Sequence, residues 1–334
     1  MDRNLLLHTY RLMYSVKVMS ETYEANRPIT KYVHSTSRGH EAIQLATAFL
    51  LKSQDWVSPY YRDESLLLGM GWTPYELMLQ LLTKADDPFT GGRSYYSHPN
   101  SNREDKPKII HQSSATGMQA IPTTGVAQGL QYLETIGRLQ PGPDAPVVVC
   151  SFGDASITEG EVSEAFQFAA LKKLPIIYLV QDNEWGISVT AKEGRAMNAY
   201  RFARGFKGIR RVKVDGSDFF ESYAVMEDVI ADVREKRRPW LVHAKVPLLN
   251  HHTSGVRKEF YRTEEDLQKH GERDPLPRFK EVILRNINEE ELKQIESEVE
   301  VAIREQFERA VAAAEPNREE VADHVFVPSP VTEE

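Results

Sequence analysis

A single cysteine in 334 residues excludes an intrachain disulfide. That residue, Cys150, sits in an apolar run, so packing is its expected role rather than thiol chemistry. No stretch approaches the roughly 18 apolar residues of a membrane-spanning helix, and the first residues lead into an amphipathic helix rather than a secretory signal. The chain is therefore expected in the cytoplasm, with no membrane partner. An excess of positive charge is also missing. The formal net charge is −8, with 41 Lys and Arg against 49 Asp and Glu, which argues against nucleic-acid binding. Arg201, Arg204, Lys207, Arg210, Arg211 and Lys213 cluster, but such a run reads as a solvated face. The basic residues 234–238 end a helical pattern at Pro239, where positive charge complements the helix dipole. Neither G-x-G-x-x-G nor a phosphate-loop lysine pattern occurs, which weakens a nucleotide-binding reading.

What is present concentrates between residues 153 and 188. Residues 147–150 form the short apolar run of a strand buried on both faces of a parallel sheet, and the run stops at Gly153-Asp154. Ser156 or Thr158 is placed to cap the following helix, and Glu159 and Glu161 suit its first turn. Val162, Ala165, Phe166 and Ala169 then recur at helical spacing until Pro175. Residues 176–180 read as a second buried strand, with Asp182-Asn183 just past its end. Both polar turns thus open on one edge of one sheet, where open α/β sheets bind ligands. Asp154 and Asn183 lie 29 residues apart, and the crossover helix brings their oxygens to neighbouring strand ends. Mg suits such a set: one or two carboxylates, carbonyl oxygens, here one near Trp185, and the phosphates of the ligand itself. Taken singly, Asp154 caps a helix and Asn183 makes a turn. Their pairing within one strand–helix–strand unit points instead to a cation held against a diphosphate.

Elsewhere, residues 4–25, 38–52 and 74–83 read as helices. Residues 86–113 form a long loop rich in Gly, Pro, Ser and Asn, a kind that is usually functional. Residues 113–129 lead a loop into a helix, 208–214 and 240–246 read as strands, and 219–236 as a helix. Strands alternating with helices give a parallel sheet. From 288 to 314, Leu292, Ile295, Val299, Ile303, Phe307 and Ala310 form an apolar stripe that either closes the domain or meets a partner. Residues 325–334, with Pro328 and Pro330, resemble a linker, so the chain is either a free subunit or the first part of a longer one. The division expected is a helical arm (1–30), an α/β domain (31–285), and a helix with a tail (286–334).

Gly153-Asp154, the step to Asn183, and Glu184-Trp185-Gly186-Ile187-Ser188 resemble the thiamine diphosphate motif of 2-oxo acid dehydrogenase complexes, specifically the alpha subunit of their decarboxylating component. Tyr60-Tyr61-Arg62-Asp63, Gln112-Ser113-Ser114 with Gln119 and Pro122, Val214-Asp215-Gly216, and His251-His252-Thr253-Ser254 fall in that family's order. The similarity covers residues 30–275. It implies an α/β fold of the thiamine diphosphate-binding kind, a parallel sheet flanked by helices. It also implies oxidative decarboxylation of a 2-oxo acid, with acyl transfer to the lipoyl group of a partner acyltransferase. Overall resemblance favours 3-methyl-2-oxobutanoate over pyruvate or acetoin as substrate.

Carried over by motif position, Asp154, Asn183 and the Trp185 carbonyl bind Mg. Tyr61 and Arg62 lie at the diphosphate, with the turn Gly153, Asp154, Ala155 and Ser156 around it, and Ser114, Thr116 and Ile187 border the aminopyrimidine. A guanidinium at position 62 also makes physical sense, since it matches phosphate oxygens two at a time. His252 is the expected catalytic histidine, handling protons near neutral pH, with His251 orienting it. The glutamate that activates the aminopyrimidine belongs in this family to the beta subunit, and neither Glu41 nor Glu64 matches it. An α2β2-type assembly, inactive without its beta part, is the implied form. Thr253 and Ser254 occupy positions phosphorylated in some members. The sequence departs from the pattern at Ala155, Asp182, Leu248 and Met118, the last of which makes a potassium site doubtful. Two other readings stand beside this one: a ketol-transferring thiamine enzyme, and a non-catalytic nucleotide-binding or structural subunit.

Overall fold

The computed structural model describes residues 1–30, 35–110, 113–253 and 255–323. Gln112, Ser254 and the linker-like residues 325–334 lie outside that set. In chain order the strands are β1 (Trp56–Ser58), β2 (Lys108–Ile109), β3 (Val148–Gly153), β4 (Ile176–Asp182), β5 (Trp185–Gly186), β6 (Val189–Thr190), β7 (Arg210–Asp215) and β8 (Trp240–Lys245). Six of them form one sheet in the order β2-β1-β3-β4-β8-β7, each neighbouring pair parallel. β5 and β6 make a small antiparallel hairpin. The fold is the expected α/β arrangement, a parallel sheet flanked by helices.

Period-2 alternation assigns the two faces of the sheet. Val148, Cys150 and Phe152 of β3, with Ile176, Tyr178 and Val180 of β4, pack under the helices Ala120–Thr135 and Gly160–Lys172. Val149, Ile177 and Leu179 point the other way, into a cluster with Ile43 and with Met226, Val229, Ile230 and Val233 of the helix Phe219–Lys236. Both faces are covered, which is why these strands read as unbroken apolar runs. Cys150 is fully buried, and burial raises its thiol pKa, so packing is its role.

A third cluster lies in the helical layer beside the sheet. The first helix, Arg3–Ala25, contributes Tyr10, Met13, Val16, Met19 and Tyr23. The last, Glu289–Ala312, contributes Leu292, Ile295, Val299, Ile303, Phe307 and Ala310. The stripe read at 288–314 is therefore spent on closing this core rather than left for a partner.

Two local expectations fail. Neither Ser156 nor Thr158 caps the helix after β3, because Asp154–Thr158 coil into a 3-10 turn and the helix begins only at Gly160, with Glu159 at its N-cap. β4 runs on to Asp182, so that residue is the last of the strand and not part of the turn beyond it. Among the described residues no helix is long and apolar enough to cross a membrane. Phe307→Ala, which removes a buried ring from the third cluster, is expected to lower the unfolding free energy by about 3–5 kcal/mol in urea titration. Val301→Ala on the outer face of the same helix, 49% exposed, should change it by no more than about 0.5 kcal/mol.

Candidate active site

The register of the sheet brings four strand ends to one edge: Gly153 pairs with Gln181, Asp182 with Lys245, and Lys245 with Asp215. Asp154 and Asn183 follow directly on β3 and β4, and both are buried. The β5–β6 hairpin folds back over the Asp154 turn, since a Cβ on Gly186 would sit 3.3 Å from the methyl of Ala155. That contact carries Trp185 to the same place. The hairpin requires unusual backbone: Glu184 and Ile187 hold φ of 69° and 55°, costly for any residue with a side chain and most of all for β-branched Ile187.

Asp154 Oδ2 is buried without an aligned hydrogen-bond donor, although it is in ion-pair contact with Arg195. Arg195 also lies 3.5 Å from Asp182, whose other oxygen faces His243 Nε2 at 3.1 Å and Lys245 Nζ at 3.3 Å. Burial and the negative Asp182 push the Asp154 carboxyl well above the usual carboxylate range. Burial pushes Asp182 the same way, but His243 and Lys245 outweigh it and hold that carboxyl low. Asn183 turns its Oδ1 to the Trp185 N–H at 3.1 Å and its Nδ2 to His40 Nε2 at 3.4 Å.

Below these groups runs a buried polar layer. Gln181 Oε1 accepts from Gln44 Nε2 at 2.8 Å and meets His40 Nδ1 at 2.8 Å, while its Nε2 donates to Asp63 Oδ1 at 2.8 Å and to Ser151 Oγ at 2.9 Å. Burial raises Asp63 to about 6, against its hydrogen bonds from Ser151, Tyr60 and Gln181. Burial, and then Arg62, lower His40 to about 3.

Arg62 is the largest fully buried side chain among the described residues. One terminal nitrogen donates to the His252 carbonyl at 3.1 Å, the other reaches the Thr36 carbonyl at 3.4 Å, and Nε is unpaired. No carboxylate of the described residues forms an ion pair with it. A buried cation without an anion costs several kcal/mol unless a negative group is brought to it. His252 Nε2 meets the Tyr61 hydroxyl at 3.2 Å, and its buried Nδ1 is unpaired. Burial, and then the neighbouring Arg62, push this imidazole far below the usual histidine range. Tyr60 joins the two halves, its hydroxyl 3.4 Å from His40 Nδ1 and its ring 3.6 Å from where a Gly153 Cβ would stand.

Other expected residues fall elsewhere. His251 faces away from His252: its Nδ1 accepts the Lys258 N–H at 3.1 Å, and Glu24 and Glu259 lie 3.8 Å from its ring nitrogens. It does not orient His252, because adjacent residues of an extended loop point to opposite sides. Ser114 and Thr116 are exposed on a loop tied down by Gly117, packed on Glu159, and by Gln119, whose amide donates to the Ser151 carbonyl at 3.1 Å. Among the described residues nothing holds either hydroxyl against Asp154 or Arg62. Ser156 is buried in the 3-10 turn and Ile187 is half exposed beyond it. Glu41 pairs with Arg38, and Glu64 accepts from the Tyr96 hydroxyl and the Ser37 N–H, so both are engaged. Leu248 is a core residue whose carbonyl accepts from Arg262, a second buried guanidinium with one unpaired nitrogen. His40, Gln44, Asp63, Gln181, Arg195 and His243 were not singled out as site residues. Their signals in the sequence are Gly39-His40-Glu41 at a helix start, Asp63 at the end of Tyr60-Tyr61-Arg62-Asp63, and polar Gln181 inside an apolar strand.

An open parallel sheet that gathers a carboxylate, a carboxamide and an unpaired guanidinium at its carboxyl edge is the architecture of an α/β ligand-binding enzyme. Comparison with known proteins makes this specific. Residues 10–319 match the family described as dehydrogenase E1 component. The 2-oxoisovalerate dehydrogenase subunit alpha of Bacillus subtilis is 32% identical over 241 residues, 72% of this chain and 69% of that protein. The 3-methyl-2-oxobutanoate dehydrogenase subunit alpha of Mycobacterium tuberculosis is 28% identical over 294 residues, covering 83% and 71%. The pyruvate dehydrogenase E1 component subunit alpha of Rickettsia bellii is 27% identical over 293 residues, covering 86% and 85%. The chain belongs to the dehydrogenase E1 component family, and so to the oxidoreductases.

The buried layer carries a pH signature. Burial raises Glu64 from 4.5 to about 7, so its contribution to stability is complete below about pH 4.5 and is lost as pH rises through 7. Glu64→Gln should flatten that decline when melting temperature is followed between about pH 5 and about pH 8. An unchanged slope would show that Glu64 does not titrate there.

Proposed function

We propose that this chain is the alpha subunit of a 2-oxo acid dehydrogenase, binding thiamine diphosphate and Mg at the carboxyl edge of its sheet. The observation that carries the reading is the fully buried Arg62, without a carboxylate ion-pair partner among the described residues, on the same edge as the buried Asp154, whose Oδ2 has Arg195 as its ion-pair partner. One offers positive charge to a diphosphate and the other negative charge to a cation. Asp154, Asn183 Oδ1 and the Trp185 carbonyl would hold Mg. Arg62, Tyr61 and the turn from Gly153 through Ala155 to Ser156 would hold the diphosphate, with Ser114, Thr116 and Ile187 toward the aminopyrimidine. When bound, thiamine diphosphate supplies a nucleophilic carbon that adds to the 2-oxo group and accepts the electrons left by decarboxylation. His252 serves the substrate: Tyr61 holds its Nε2, and its unpaired Nδ1 is free to hydrogen bond with the 2-oxo acid.

The relatives from B. subtilis and M. tuberculosis are named for branched-chain 2-oxo acids and the one from R. bellii for pyruvate. The slightly higher identity of the first supports 3-methyl-2-oxobutanoate, oxidised with acyl transfer to a lipoyl group on an acyltransferase partner. A beta subunit, separate or fused, completes the site by supplying the missing glutamate in an α2β2-type assembly. Supporting this, the helix Ala120–Thr135 leaves one face uncovered: Ile121 is 46% and Tyr132 61% exposed, and nothing lies within 4 Å of a Cβ at Gly125 or Gly129. Such a flat apolar face is one a partner helix can approach closely.

Calorimetric titration tests the assignments: Asp154→Ala should abolish Mg-dependent thiamine diphosphate binding, and unchanged affinity would refute the cation site. His252→Ala should leave binding intact and lower turnover by about 10²–10⁴-fold. The purified alpha chain alone should not turn over. The natively purified complex should reduce a dye faster with 3-methyl-2-oxobutanoate than with pyruvate, and the reverse preference would reassign the substrate.

A further inference from the structure

The oxygen that Asn183 offers at the sheet edge is selected by a chain of hydrogen bonds whose polarity can be followed from both ends. At one end the Leu66 N–H donates to Gln44 Oε1 at 3.3 Å, which turns Gln44 Nε2 toward Gln181 Oε1, Asp63 Oδ1 and the Arg62 carbonyl, at 2.8, 3.0 and 3.1 Å. Gln181 therefore presents its oxygen, and its own Nε2 confirms this by donating to Asp63 and Ser151. An oxygen facing His40 Nδ1 at 2.8 Å requires the proton on Nδ1. At the other end the Trp185 N–H needs an acceptor and finds Asn183 Oδ1 at 3.1 Å, which turns Asn183 Nδ2 toward His40 Nε2 at 3.4 Å. A donor there requires Nε2 to be bare. The two ends, each anchored by a backbone N–H, demand the same neutral tautomer of His40.

We infer that His40, fully buried at the start of the helix Glu41–Leu50, is a positioning residue for the cation site: as the Nδ1–H tautomer it accepts from the Asn183 amide and so keeps Asn183 Oδ1 on the ligand side. Without that acceptor only the Trp185 N–H distinguishes the two ends of the carboxamide, and a flipped amide would present an N–H to the metal. Ligands fixed from behind in this way bind metal more tightly than ligands left to rotate. The role is indirect, since no atom of His40 is assigned to metal, cofactor or substrate. The inference rests on the reading of Asn183 as a ligand, and its test separates the two.

The test is Mn²⁺ binding to the copurified complex at saturating thiamine diphosphate, read from the electron paramagnetic resonance signal of free Mn²⁺, for wild type, Asp154→Ala, His40→Gln, His40→Met and His40→Leu. Asp154→Ala should lose the ion, and if it does not, the cation-site reading itself fails. Given that loss, His40→Leu and His40→Met should bind Mn²⁺ about 10- to 100-fold more weakly. His40→Gln, which again offers a donor to Gln181 and an acceptor to Asn183, should stay close to wild type. Equal affinity across the glutamine, methionine and wild-type proteins would overturn the inference. The Gln and Met variants are near in length, so a folding defect in His40→Leu leaves that comparison intact, and circular dichroism of both confirms the fold.

Discussion

The parallel register of β3 and β4 is the constraint on which the site depends. With Gly153 opposite Gln181, the residues next past the two strands are thrown to the same edge, and a shift of one residue would turn Gln181 into an apolar face. The register is fixed by alternation: Val148, Cys150 and Phe152 fill one face and Val147 and Val149 the other, with Ile176 to Val180 in matching phase. Hydrophobic packing far from the chemistry thus sets the spacing of Asp154 and Asn183.

Above that apolar floor the molecule buries an unusual amount of polarity. Asp63, Gln44, Gln181 and His40 satisfy one another, so the layer is internally paired and specifies one arrangement of side chains. Arg62 and His252 are different, because each keeps an atom buried and unpaired, whereas Asp154 Oδ2 has its ion pair with Arg195. Groups in that condition destabilise the fold by an amount that a new partner can return. Strain at Glu184 and Ile187 belongs to the same pattern, since a hairpin held in the left-handed region carries Trp185 over the Asp154 turn.

Much of this was legible in the sequence. The strand–turn–helix–strand unit around Asp154 and Asn183 and the helices at 219–236 and near either end all followed from local pattern or motif. The rest was hidden for physical reasons. Gln181 and His40 meet across 141 residues, and the tautomer that links them exists only in three dimensions. Hydroxyls at Ser156 and Thr158 looked like caps, but the 3-10 turn consumed them before the helix began. Adjacent His251 and His252 are equivalent in a string of letters, whereas the loop sends one toward Lys258 and Glu24 and the other to Tyr61. Arg195 follows a short helix with its own capping box, and nothing local announces that it will lie between Asp154 and Asp182.

The central claim is that one edge of this sheet holds a divalent cation and a diphosphate in contact with each other. Phosphorus magnetic resonance of thiamine diphosphate bound to the complex, recorded as Mn²⁺ replaces Mg²⁺, tests it most directly. The account predicts severe paramagnetic broadening of both phosphorus signals by the bound ion. Sharp signals from bound cofactor in the presence of bound Mn²⁺ would place the cation elsewhere and contradict it.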